Sequence, residues 1–321
     1  MVNRAGRPTI SVIIPYYNEA ETLPQTLGQL SSQTIEPSEI LLVDSGSTDR
    51  SLEIIDTWSR ETHRGRTAQV RNIRARTGVP SSSKNVGIRE ATGEILAFMD
   101  CGLVFPPHWL ESNLAMLQAG SYDLVSGHCI LKGESPLDMA AVAQTYGYLR
   151  PCSTVPSSLV KRYVFEKTGL FLEGRRAGYD TDWALRVQEE GLRRGSNANV
   201  IVGYLGFNYA RDLRSLYLKS IVYTRTACGI PSFYQPEIYL TGTLLAIAVA
   251  VLQPSALPWV FAAYLLLRGL VIPGRKSRVV AMLRDDYRSV LLLPVAGITI
   301  DAGRTVGSVL GTLVRFKKRP L

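Results

Sequence analysis

The side chains best placed to do chemistry are three acids and a lysine. Asp100 ends the apolar run Glu94-Ile-Leu-Ala-Phe-Met-Asp100, Asp44 ends Ile40-Leu-Leu-Val43, and Asp180 stands with Asp182 in Gly178-Tyr-Asp-Thr-Asp-Trp183. A carboxylate immediately after an apolar strand lies outside the carboxyl end of the sheet, where open α/β sheets collect ligands. There it can take a proton from a hydroxyl or hold a divalent cation. Lys84, in Ser81-Ser-Ser-Lys84-Asn85-Val86-Gly87, stands at a helix entrance, where an ammonium beside free N–H groups can bind phosphate. Each residue also has a plainer use. Asp100 can cap the turn after it, and the helix dipole alone favours Asp180 and Asp182. The arginines Arg60, Arg64, Arg66, Arg71, Arg74 and Arg76 can meet a phosphorylated ligand or simply decorate a solvated loop.

The elements that must position these residues follow from periodicity. Ile10 to Ile14 predicts a first strand, stopped by Pro15-Tyr16-Tyr17-Asn18-Glu19. A helix from about Thr22 to Ser32 carries Leu23, Leu27 and Leu30 at helical spacing. After Ile40 to Val43, Ser47-Thr48-Asp49 starts a helix with Leu52, Ile54 and Ile55 inward. A helix through Ile88 and Ala91, broken by Ala91-Thr-Gly93, leads to the strand before Asp100. Beyond it the pattern predicts a helix to about Ala119, a strand from Tyr122 to Ile130, a short strand Ser157 to Val160, a helix Tyr163 to Leu170, and a helix from Gly178 with Trp183, Leu185 and Val187 for packing. Strand and helix in alternation imply an α/β fold with a parallel sheet, so the acid-bearing ends share one edge.

Taken together, Pro15-x-Tyr17-Asn18-Glu19, Asp44-x-Gly-Ser-Thr-Asp49, Lys84-Asn85-x-Gly87, Asp100, and Tyr179-Asp180-x-Asp182 followed by Arg186 resemble the family 2 glycosyltransferases of the GT-A fold. The resemblance covers residues 10 to about 200. It implies a Rossmann-like nucleotide-sugar transferase domain. In it the segment Pro15, Tyr17, Asn18 and Glu19, with Asp44, holds the nucleobase and ribose. It further implies Lys84 near the diphosphate, Asp100 at a divalent metal, Mn or Mg, and Asp180 as the general base of an inverting transfer. Three positions depart from the family pattern. The DXD-like motif reads Asp100-Cys101-Gly102, Tyr179 replaces the Glu of the Glu-Asp pair, and Ser45 replaces the second acid of the Asp44 loop. The Gln-x-x-Arg-Trp signature of processive synthases is absent from the sequence, which favours single sugar transfers.

The last third differs in kind. Residues 211–321 hold 15 of the 36 Lys+Arg but only 5 of the 27 Asp+Glu, so the whole excess of +9 belongs there. Long uncharged runs in the same region point that charge at anionic lipid and not at nucleic acid. About 30 uncharged residues between Glu237 and Arg268, split by Gln253-Pro254, predict a helical hairpin over 238–272, Arg268 snorkelling to the interface. A soluble hairpin is the alternative. The run 290–314, interrupted by Asp301 and Arg304, is expected to lie along the interface or re-enter. The predicted division is thus a catalytic domain over 1–210, a basic interfacial linker over 211–237, and membrane-associated helices with a basic tail over 238–321. Loops around 130–160 are candidates for setting specificity. The short polar N-terminus predicts no secretion, and Cys101, Cys129, Cys152 and Cys228, far apart and without metal spacing, read as free thiols in a reducing compartment. The composite expectation is a transferase with a cytoplasmic catalytic domain at the cell inner membrane. Its partners would be a nucleotide-sugar donor, a lipid-linked or glycan acceptor such as a polyprenyl phosphate, and membrane lipids. A binding protein that has lost turnover and a nucleotidyltransferase are the competing classes.

Overall fold

Apolar runs bounded by Pro, Gly and acidic residues become the strands. In the computed structural model, which describes residues 6–62, 67–204, 209–230 and 235–317, β1 (Ile10–Tyr16), β2 (Glu39–Asp44), β3 (Gln69–Arg74) and β4 (Ile95–Phe98) run parallel in the order β3-β2-β1-β4. β1 and β2 are buried on both faces, which is why they read as continuous apolar runs and not as alternation. β5 (Leu103–Val104), β6 (Leu124–Ile130), β7 (Cys152–Lys161) and β8 (Arg194–Tyr204) extend the sheet to β3-β2-β1-β4-β7-β6-β8-β5. β7 is antiparallel to β4 and β6, and β5 to β8, so the sheet is mixed where alternation alone predicted parallel.

Helices α1 (Leu23–Ser31), α2 (Ser51–Thr62), α3 (Pro80–Glu90), α4 (Trp109–Ala119), α5 (Pro136–Thr145), α6 (Tyr163–Thr168), α7 (Tyr179–Glu189), α8 (Leu213–Ala227) and α9 (Gln235–Leu252) follow in chain order. α3 packs directly on the sheet because Gly87 has no side chain: a Cβ there would stand 2.4 Å from Ile13 Cγ2. Of the three apolar residues expected to face inward from α2, Ile55 is buried, while Leu52 and Ile54 are half-buried. The arginine-rich stretch is not a loop throughout. Its second half is edge strand β3, where Arg71 pairs with Glu39 (3.3 Å) and Glu90; an edge strand tolerates the charges that disguised it. Arg64 and Arg66 lie outside the described residues.

The chain forms two compact units, Met1–Cys129 with Cys152–Leu205, and Ile130–Pro151 with Gly206–Leu321. The first holds the sheet and an aromatic core in which Phe171 contacts Tyr179 (5.5 Å between ring centroids) and Phe165 stacks on Trp183 (5.0 Å). The second differs from the linear division expected. Part of the region anticipated as specificity loops is α5, and part of the anticipated linker is α8. α8 packs against the long helix Leu293–Lys317 through Gly303, Gly307 and Gly311. A Cβ at Gly303 or Gly307 would lie 2.6 Å from the Tyr217 carbonyl or 2.7 Å from that of Ile221. Small residues four apart thus let two backbones approach. Arg268 does not snorkel. It is 4% exposed and turned inward, 2.7 Å from Asp301 and 3.0 Å from Gln144 Oε1, so the charge that interrupts the last helix is neutralised inside the unit. Arg304 likewise donates to the Tyr239 hydroxyl at 2.7 Å.

The region expected to form a hairpin holds α9 and the helical run Pro254–Lys276, with Gln253 between them. The second run, with mean hydropathy 1.7 and almost none of its apolar stretch buried, is long and apolar enough to cross a membrane; α9 is shorter. Leu252 (74%) and Trp259 (78%) are among many large apolar side chains left bare.

Candidate active site

The register of the parallel strands builds the site. Tyr16 lies level with Asp44, and Asp44 with Arg74, so three strand ends finish in one row. Beyond that row is a hollow of about 550 Å³ lined by Tyr17, Asp44, Ser45, Gly46, Ser47, Thr48, Leu52, Arg74, Arg76, Gly78 and Arg176. Asp44 is buried, and its Oδ1 accepts from the N–H groups of Gly46 (3.0 Å) and Ser47 (2.8 Å), shaping the loop that forms one wall. Gly46 sits at φ 108°, a backbone conformation that a side chain would strain. Tyr17, 50% exposed, offers a ring face on which a planar base can stack. Arg74, Arg76 and Arg176 are exposed and make no ion pair among the described residues, so the hollow is strongly cationic.

The other residues of the first loop act on the wall and not in it. Asn18 Oδ1 accepts from Thr48 N–H (2.8 Å), and its own N–H donates to Ser47 Oγ (3.0 Å). Glu19 N–H donates to Ser51 Oγ (2.9 Å), and its carboxylate accepts from Thr22 Oγ1. Burial pushes the Glu19 carboxyl up, against the Thr22 hydrogen bond. Pro15 stays within β1, opposite Val43.

Lys84 is not at the mouth of a helix facing solvent. It is fully buried on α3, with Nζ 2.8 Å from Asp100 Oδ1 and 3.5 Å from the Tyr179 hydroxyl. Burial alone would depress this ammonium, but Asp100 and Tyr179 outweigh it and hold the group above its ordinary value. Burial raises the Tyr179 hydroxyl to about 12 although Lys84 opposes it. The serines of α3 that precede Lys84 are spent on the protein. Ser81 and Ser82 accept from the N–H groups of Arg175 and Gly174, both at 3.0 Å, and Asn85 exchanges two bonds with the backbone of Phe171 (2.8 and 3.0 Å). They thereby pin the loop that presents Arg176.

Asp180, the next residue after Tyr179, is exposed, with no ion pair among the described residues. It lines a separate recess of about 180 Å³ with Ser126, Ser153, Thr154, Val155 and Arg194. Asp182 is structural: it holds Arg186 at 2.9 Å, which in turn binds the carbonyls of Thr168 and Leu170. Asp44 and Asp180 therefore line different cavities, and the chain Asp100, Lys84, Tyr179 links Asp180 to the strand ends. Sequence reasoning singled out Arg74 and Arg76 only as part of a basic run, and it passed over Arg176. The available signal was the glycine-flanked pair in Gly174-Arg175-Arg176-Ala177-Gly178, just before Tyr179.

A divalent cation finds one protein ligand here. Asp100 is 25% exposed with one carboxylate oxygen taken by Lys84, the third position of the motif is Gly102, and among the described residues no group of three His, Cys, Asp or Glu gathers. One carboxylate with phosphate and water for the remainder is a set that magnesium and manganese accept.

Glycosyltransferase AglE of Haloferax volcanii is 28% identical over 194 residues, 57% of this chain and 62% of that protein. Glycosyltransferase GlyG of Streptococcus pneumoniae is 33% identical over 119 residues, 37% of this chain and 38% of that one. The chain thus spans less than two thirds of these curated relatives. Mannosyltransferase PcManGT from Pyrobaculum calidifontis, solved with GDP-Man and Mn2+, shares the fold with a TM-score of 0.56 at 21% identity, covering 98% of this chain and 88% of that one. The model of the family described as glycosyl transferase family 2 matches residues 11–176, more than half the sequence, and the chain belongs to that family.

Proposed function

We propose that this protein transfers a single sugar, with inversion, from a nucleotide-sugar donor to a lipid-linked or glycan acceptor at the cytosolic face of a membrane. The observation that carries this reading is the cationic hollow at the carboxyl ends of the parallel strands, three arginines without an ion pair among the described residues around one carboxylate, with an exposed acid, Asp180, one residue beyond the Tyr179 that Lys84 contacts. A base stacks on Tyr17, Asp44 and its loop read the base and ribose, and Arg74, Arg76 and Arg176 meet the diphosphate. Asp180 accepts the proton of the acceptor hydroxyl as its oxygen attacks the anomeric carbon, and the nucleoside diphosphate leaves from the opposite face. The arginines stabilise the charge that grows on the leaving oxygen, so no general acid is required. When bound at Asp100, magnesium or manganese adds a further charge against the diphosphate. The bare apolar arms of the hairpin support a membrane location and a lipid-linked acceptor, with the basic residues on either side cytosolic.

The test is a donor screen on the detergent-solubilised full chain, with and without Mn²⁺ and Mg²⁺, scored for nucleoside diphosphate release. Release from one donor, abolished in Asp180→Asn with donor binding intact, is the expected result for a hydroxyl acceptor. Transfer that survives Asp180→Asn identifies a polyprenyl phosphate acceptor, already an anion. No release from any donor overturns the proposal in favour of a binding protein, and pyrophosphate as product would make it a nucleotidyltransferase.

A further inference from the structure

Two thiols distant in sequence become neighbours in the fold. Cys129 and Cys152 are registered partners across the antiparallel pair β6–β7. Residues directly opposite in such a pair have Cα atoms about 4.5–5.5 Å apart, within the roughly 4.4–6.8 Å that a disulfide spans, and their side chains leave the same face of the sheet. Cys152 Sγ lies 3.4 Å from the Cys129 carbonyl oxygen. Cys129 is buried and Cys152 half-buried, so only Cys152 is within reach of a solute. The pair also stands at a junction. Cys129 is the last residue of the first unit before the excursion Ile130–Pro151, and Cys152 the first after it.

We infer that Cys129 and Cys152 are a redox modification site, closing to a reversible disulfide by exchange with a low-molecular-weight disulfide such as oxidised glutathione. The Cys152 thiolate attacks one glutathione sulfur, the glutathione S–S bond breaks, and one glutathione thiolate leaves. Cys129 then gives up its proton and attacks Cys152 Sγ, expelling the second glutathione. Two protein thiols are oxidised and one glutathione disulfide is reduced to two thiols. The neighbouring Cys129 thiol holds the Cys152 thiol below its ordinary range, which suits Cys152 to the first attack, while Cys152 and burial keep Cys129 protonated until the second. Closure ties off the excursion at its base and fixes the start of β7, from which Ser153, Thr154 and Val155 run into the wall of the Asp180 recess.

The test uses the full chain in detergent, equilibrated across glutathione redox ratios, quenched with N-ethylmaleimide in denaturant, and mapped by mass spectrometry without reduction. The expected result is one intrachain peptide joining Cys129 to Cys152, lighter by two hydrogens, with two fewer maleimide additions and full reversal by dithiothreitol. Cys129→Ser should accumulate a glutathione adduct on Cys152, and the double variant Cys101→Ser, Cys228→Ser should behave as the unaltered chain. If Cys129→Ser does not fold, the map of the unaltered chain decides by itself. Alkylation of both Cys129 and Cys152 at every ratio, or linkage through Cys101, Cys228 or a second chain, overturns the inference. None of these readouts depends on sugar transfer.

Discussion

The Lys84–Asp100 pair is unequal in burial, and the inequality predicts which half matters more to stability. The Lys84 side chain is 0% exposed and that of Asp100 is 25% exposed, at 2.8 Å. Asp100→Ala strands an ammonium that water cannot reach, leaving only the Tyr179 hydroxyl at 3.5 Å. Breaking a buried pair this way costs 3–5 kcal/mol, and because part of Asp100 is already hydrated the lower end applies, about 3 kcal/mol. Lys84→Met fills a similar volume and leaves a carboxylate that can take up more water, for about 1 kcal/mol. The two variants should differ by about 2 kcal/mol, roughly 30-fold in the unfolding equilibrium. Lys84→Met with Asp100→Ala should resemble Lys84→Met alone, because the stranded charge is gone. The assay is urea unfolding followed by tryptophan fluorescence in a Trp259→Phe background, so that the signal comes from Trp58, Trp109 and Trp183 of the first unit. Equal losses for the two single variants, or an additive double variant, would refute the claim that burial asymmetry governs the pair.

Three further outcomes follow from the same geometry. Arg76→Ala and Arg176→Ala should each weaken donor binding roughly tenfold, as expected for loss of one hydrogen bond to a charged group, with the deficit narrowing as salt screens the unaltered hollow; calorimetric titration at two ionic strengths reads both. Gly307→Val should lower the thermal midpoint of the detergent-solubilised chain by an amount equivalent to about 2–3 kcal/mol of overpacking, since a Cβ there meets the Ile221 carbonyl at 2.7 Å and Thr224 Cβ at 3.0 Å, whereas Gly274→Ala, with open space around it, should be silent. Lys84 is raised on folding, so its stabilisation is complete below the ordinary value of 10.5 and is lost as pH rises through the folded value. The gap in stability between the unaltered chain and Lys84→Met should therefore shrink on raising the pH above 10.5, and a gap that widens there would reverse the assignment.

Much of the first unit was legible because its signals are local. Continuous apolar runs ending in Asp44 and Asp100 identify buried parallel strands, the order of motifs identifies the family, and helical spacing of Leu23, Leu27 and Leu30 identifies α1. Uncharged length likewise locates two helical runs and the break between them at Gln253. What the chain in one dimension cannot express is which distant groups spend their chemistry on each other. Lys84 looks like a phosphate-binding lysine at a helix entrance in sequence, and only packing on Ile13 through Gly87 turns it inward to Asp100 and the serines before it onto the loop that carries Arg176. Arg268 reads as a snorkelling charge until a helix passing beside it supplies Asp301. Cys129 and Cys152 become partners only through the register of two antiparallel strands. Hydrophobic periodicity is a property of neighbouring residues, whereas polar pairing over long separations depends on registers and crossings that the whole fold must first establish.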